Sequence, residues 1–120
     1  MAKIDGTVVM QEEKNGNSWV IKIQGRLDAL SAPIAERRIF QLIENGCKGF
    51  VLNLSEVDYL SSAGMRMLLS TTKKLKSISG KAVLCKMTPH ALDVLKMSRY
   101  DDVVEGVDTE AEALALLARE

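Results

Sequence analysis

The chain has 120 residues, the length of one ordinary domain, and 47% of them are hydrophobic, enough apolar material for one core without a disulfide or metal staple. Sixteen Lys and Arg balance sixteen Asp and Glu, so the net charge is zero and no global basic field attracts nucleic acid or an anionic membrane. Cys47, Cys85 and the lone histidine, His90, fall in separate segments, which argues against a zinc site of about four closely spaced ligands and favours two reduced, mostly buried thiols.

The opening MAKIDGTVVM lacks the apolar core of a signal peptide, and no apolar run approaches the roughly 18–20 residues of a membrane span. A soluble, cytoplasmic protein with no direct membrane insertion is expected, a single domain over residues 1–120.

In chain order, Thr7 to Glu12 and Ser18 to Gln24 flank the turn signal Asn15-Gly16-Asn17 and predict an antiparallel hairpin. Trp19, Ile21 and Ile23 alternate with Val20, Lys22 and Gln24, the period of a half-buried strand, which Gly25 is expected to end. A helix is predicted after Ser31, with Pro33 in its first turn, where a missing N–H does no harm. Its apolar stripe is Ala35, Ile39, Leu42 and Ile43, and Gly46 stops it.

Phe50, Val51, Leu52 and Leu54 read as a central strand buried on both sides. A loop from Ser55 to Ser61 leads into a helix with Met65, Leu68, Leu69, Thr72, Leu75 and Ile78 on one face, closed by Gly80. Ala82 to Met87 is another buried strand, and Thr88 with Pro89 caps and opens a short helix. Val103-Val104 reads as a short last strand, and Thr109 with Glu112 fits a capping box before a final helix. The order ββαβαβαβα predicts an α/β fold: a mixed, mainly parallel sheet of four to five strands with an N-terminal antiparallel hairpin and about four helices.

In such folds sites gather where strands end and helices begin. The most unusual stretch lies there: Asn53-Leu54-Ser55-Glu56-Val57-Asp58-Tyr59-Leu60-Ser61-Ser62-Ala63-Gly64. Two adjacent hydroxyls precede two small residues that let another backbone or a phosphate approach. The free N–H groups and dipole of the helix favour an anion at this point. From pattern alone, Ser61 or Ser62 reads first as an N-cap. Catalysis finds no support, since the only histidine lies in another loop and Gly-x-Ser-x-Gly, GxxxxGK[ST] and GxGxxG are all absent. No catalytic residue, cofactor or metal is expected.

The stretch from Phe50 to Leu69, FVLNLSEVDYLSSAGMRMLL, resembles the signature of STAS domains, the sulfate transporter and anti-sigma factor antagonist family. Gly25-Arg26-Leu27-Asp28 and Gly80-Lys81-Ala82-Val83-Leu84-Cys85 resemble two further landmarks in the right order and spacing. The resemblance implies the STAS fold and the role of anti-sigma factor antagonist. The unmodified antagonist would bind an anti-sigma factor that is also a serine kinase of the histidine-kinase-like ATPase fold, and free its client. The kinase would inactivate the antagonist by phosphorylating a serine, and a metal-dependent serine/threonine phosphatase would restore it.

Many members read Asp-Ser-Ser-Gly or Asp-Ser-Thr-Gly at this turn. Aligned on Gly64, Ser61 takes the place of the aspartate, Ser62 that of the first hydroxyl and Ala63 that of the second. The resemblance thus implies Ser62 as phosphoacceptor, with Ser61 the alternative, and Asp28, Asn53, Asp58, Ser61, Ala63, Gly64, Met65 and Arg66 as the partner-binding set. For Asp28 a turn or cap role weighs equally. For Asn53 a strand-end hydrogen bond is the stronger reading, and for Arg66 a solvated helix face. An unphosphorylated STAS subunit of a membrane transporter complex is the alternative function, and a monomer is the default state.

Overall fold

The structure is a computed structural model that describes residues 2–3, 8–99 and 104–118. One sheet of six strands runs in chain order: β1 (Ala2–Lys3), β2 (Val8–Asn15), β3 (Ser18–Leu27), β4 (Gly49–Leu60), β5 (Lys81–Cys85) and β6 (Glu105–Val107). The first three strands pair antiparallel and the rest parallel. Helices α1 (Ser31–Glu44), α2 (Ser62–Lys76) and α3 (Pro89–Met97) make the parallel crossovers, and α4 (Glu110–Ala118) follows β6. The predicted α/β fold with its mixed sheet is present, with two-residue β1 added at one edge.

The two sheet faces are buried differently. Met10, Ile21, Ile23, Phe50, Leu52 and Leu84 share one core with α1, α2 and α3, through Ala35, Ile39, Met65, Leu68, Leu75 and Leu95. Val20, Val51, Val83 and Cys85 face the other way and are covered by α4 through Ala113. Phe50-Val51-Leu52 reads as an unbroken apolar run because β4, between β3 and β5, is buried on both faces. Both cysteines are buried and free; burial pushes the Cys47 thiol up and the Cys85 thiol up to about 11.

Several boundaries differ from the sequence reading. The hairpin turn is present, with Asn15 opposite Ser18 and Gly16 at φ 61°, but its first strand runs on to Asn15; Thr7 lies outside the described residues. Gly25 does not end β3; at φ 111° it bends the strand where its register with β4 shifts, and pairing resumes at Arg26 with Tyr59 and Leu27 with Leu60.

The expected loop from Ser55 is strand as far as Leu60, paired with β3. Val57 and Leu60 point inward while Ser55, Glu56, Asp58 and Tyr59 are exposed. The two register shifts turn alternation by two into a spacing of three, which conceals the strand. The last strand starts at Glu105; Val104 is buried beside it, and Val103 lies outside the described residues.

Candidate functional site

The longest strand, β4, outruns β5, whose pairing stops at Asn53 opposite Cys85. Its final residues are held by β3 on one side, and the chain then turns into α2. Ser61 is the N-cap, in extended conformation, with its Oγ accepting from Gly64 N–H at 3.1 Å. The same hydroxyl donates to Leu27 O at 2.8 Å, and Ser61 N–H reaches that carbonyl at 3.0 Å. Ser61 is therefore half-buried with its hydroxyl committed in both directions. Asp and Ser are near-equivalent N-caps, so serine serves here as aspartate would.

Ser62 is the first residue of α2, exposed, and its hydroxyl makes no hydrogen bond among the described residues. Ala63 is half-buried behind it and Arg66, one turn on, is exposed. Gly64 is buried against β3: a Cβ there would lie 2.7 Å from Leu27 O and 2.9 Å from Leu27 Cβ. Glycine lets the helix start this close to the strand. Met65 is buried and anchors the first turn in the core. The first turn of α2 has no acidic side chain and its last turn carries Lys73, Lys74 and Lys76, so its dipole is uncompensated at the N-terminus.

Beside this turn, Asp28 fastens the bend that leads into α1. Its Oδ1 accepts from the N–H groups of Leu30 and Ser31, both at 3.0 Å, while its own N–H donates to Ser31 Oγ at 3.1 Å. Ser31 Oγ in turn donates to Arg26 O at 2.5 Å. The Ser31 N–H, chief among these donors, holds the Asp28 carboxyl below its usual range, and Arg26 at 3.9 Å adds to this. Ala29, Ala32, Pro33 and Glu36 face Ala63, Arg66 and Met67 across a shallow groove of about 360 Å³.

Asn53 is elsewhere. It is 3% exposed on the α4 side of the sheet, its Nδ2 donating to Glu110 Oε2 at 2.6 Å and its Oδ1 accepting from Ser55 N–H at 2.9 Å. Asn53 lies within β4 and not at its end, and the bond to Glu110 ties the strand to α4. Asp58 is exposed on the last stretch of β4, two residues before Leu60. The structure thus brings Asp28, Ser61, Ser62, Ala63, Gly64, Met65 and Arg66 together, with Asp58 at the margin and Asn53 on the far face.

Arg26, Tyr59 and His90 escaped the sequence reading. The Arg26 guanidinium lies 4.5 Å from the Tyr59 ring centre, and His90 stacks on Tyr59 at 5.7 Å between ring centres. His90 Nε2 accepts from Leu60 N–H at 3.2 Å. The signal was Tyr59, a large ring within a polar stretch; its partners come from β3 and α3, far away in sequence. Farther down, Lys22 pairs with Glu56, and Gln24 donates to Glu56 at 2.6 Å; these two hold the Glu56 carboxyl below the usual range.

A family model described as the STAS domain matches residues 9–113. The chain belongs to the STAS domain family. Among its relatives is BtrV of Bordetella bronchiseptica, named as a candidate anti-sigma factor antagonist, which is 29% identical over 96% of this chain and 90% of its own. In fold this STAS domain is similar to an anti-sigma factor antagonist of Mycobacterium paratuberculosis, with TM-score 0.85, 21% identity and coverage of 93% and 95% of the two chains. It is also similar to the unphosphorylated form of the anti-sigma factor antagonist SpoIIAA, with TM-score 0.79, 21% identity and coverage of 93% and 98%, and to the phosphorylated form of SpoIIAA from Bacillus, with TM-score 0.70, 22% identity and coverage of 89% and 97%.

Among the described residues no helix is long and apolar enough to cross a membrane. No group of three or more His, Cys, Asp or Glu side chains among them could hold a metal ion.

Proposed function

We propose that this STAS domain is an anti-sigma factor antagonist, a non-catalytic partner switch controlled by phosphorylation of Ser62. Unmodified, it docks on an anti-sigma factor that is also its serine kinase and frees the kinase's other client. Phosphorylated, it lets go until a metal-dependent serine/threonine phosphatase restores it. The observation that carries this reading is the division of labour between two hydroxyls: Ser61 is consumed as the cap, while Ser62 stands exposed one residue on. The lone histidine is engaged with the Leu60 N–H, which supports a binding rather than a hydrolytic role for the turn.

A phosphate on Ser62 adds about −1.5 to −2 charges. At the mouth of α2 that charge favours the fold by about 0.3–1 kcal/mol, so unfolding is the wrong mechanism. The effect falls on the interface, where burying a dianion without partners, or facing it to an acidic surface, costs several kcal/mol. With 1.4 kcal/mol per tenfold in affinity, that suffices for release. The docking surface comprises exposed Ser62 and Arg66 with half-buried Asp28, Ser61 and Ala63, and Asp58 at the edge; Gly64 and Met65 shape it from within.

The test is incubation with the cognate kinase and ATP, followed by intact mass and fragment analysis. One added phosphate on Ser62, absent from Ser62→Ala, is the expected result. No added phosphate on wild type sinks the switch.

A further inference from the structure

Leu60 N–H is the last amide of β4 on the side that β5 no longer reaches, and a side chain satisfies it: His90 Nε2 accepts at 3.2 Å from the second residue of α3. The next amide, Ser61 N–H, points the other way and bonds Leu27 O of β3 at 3.0 Å. The chain entering the cap is therefore clamped from both sides within two residues. Only the His90 half of the clamp depends on a titratable atom. An imidazole that accepts at Nε2 has its proton on Nδ1; protonated, both nitrogens donate and the bond to Leu60 is lost.

We propose that neutral His90 is a positioning residue for the Ser61-Ser62 turn, and that its protonation releases the turn and lowers its competence as a switch. The Tyr59 ring, stacked on His90, fixes the imidazole plane, and Arg26 lies on the same ring.

Charged and titratable side chains lie on the elements around the imidazole, which is itself exposed. From β4 come Tyr59 and its neighbour Asp58, and from β3 comes Arg26, paired with Asp28 at 3.9 Å. Asp93 lies three residues along α3. The first charge of α2, Arg66, is in the groove toward α1.

The inference rests on the switch reading, since it makes the clamped turn the one that takes phosphate. Amide spectra of the wild-type chain across about pH 5 to 8, where histidines change charge, test it. The Leu60 and Ser61 amides should shift with the same midpoint as the His90 ring protons. Protection of Leu60 from hydrogen exchange should fall by about tenfold at the acid end, the size of one net hydrogen bond.

His90→Phe keeps a ring against Tyr59 but has no acceptor. It should show low Leu60 protection at every pH, no midpoint, and several-fold slower phosphate uptake from ATP with the cognate kinase. A Leu60 amide that ignores the His90 titration, or full protection in His90→Phe, overturns the clamp whether or not phosphate is taken up. Equal uptake by wild type and His90→Phe overturns its role in the switch. No uptake by wild type overturns the switch reading and leaves the clamp to the amide data.

Discussion

The two helix mouths that follow β4 and β5 are built alike, and their differences isolate what is special about one of them. Each opens on a hydroxyl cap in extended conformation that accepts from the N–H three residues on, Ser61 from Gly64 and Thr88 from Ala91, both at 3.1 Å. At the next residue they part: α2 begins with exposed Ser62 and α3 with Pro89, which has neither hydroxyl nor N–H. Three residues after the cap, α2 has a glycine pressed against β3, whereas α3 accommodates the methyl of buried Ala91. Capping is thus common to both mouths, and the close approach to a strand with a spare hydroxyl belongs to α2 alone. His90, at the α3 mouth, reaches across to hold the strand that leads into the other.

The largest effect should come from Gly64→Ala, the residue that α3 already tolerates at the equivalent place. The new methyl meets the Leu27 carbonyl and Cβ, so a loss of about 2–3 kcal/mol is expected in urea unfolding. A loss below about 0.5 kcal/mol would break the contrast between the mouths.

Removing the caps comes next. Ser61→Ala loses both the cap and the bond to Leu27 and should cost about 1.5–2 kcal/mol, while Thr88→Ala should cost about 1 kcal/mol. Equal losses would mean that the link to β3 adds nothing.

Asp28 contributes in a pH-dependent way. Its folded carboxyl is held below the ordinary value of 3.8, so the stability it adds is present above that pH and lost as pH falls through the lowered value. Thermal melts between pH 6 and pH 2 should therefore fall less steeply at the acid end for Asp28→Asn than for wild type. Parallel curves would mean that the Asp28 carboxylate adds nothing to the bend before α1. The smallest effect on the fold belongs to Ser62→Ala, within about 0.5 kcal/mol of wild type, because its hydroxyl bonds nothing among the described residues.

Much of this was legible in the residues. Asn15-Gly16-Asn17, Thr88-Pro89 and the Thr109–Glu112 pair mark their elements because turn and cap chemistry is local; Thr109 Oγ1 accepts from Glu112 N–H at 3.1 Å as expected. The resemblance to STAS domains pointed to the Ser61-Ser62 turn, and alignment on Gly64 implied Ser62 as phosphoacceptor, with Ser61 the alternative.

The outer half of β4 was hidden because two register shifts break its alternation. Asn53 reads in sequence as a strand-end residue, yet it lies within β4, because Ser55 to Leu60 go on as strand, and its partner Glu110 is 57 residues away. The Arg26–Tyr59–His90 stack joins three elements and leaves no spacing to read.

In the proposed function a phosphate on Ser62 acts at the docking surface and spares the domain. Titrating the purified cognate kinase with unmodified and Ser62-phosphorylated chain, alongside a melt of each form, tests it most directly. Affinity at least about tenfold weaker is expected for the phosphorylated form, the equivalent of 1.4 kcal/mol, with a melting temperature equal to or slightly above that of the unmodified chain. Equal affinities, or weaker binding accompanied by unfolding of the phosphorylated form, would contradict it.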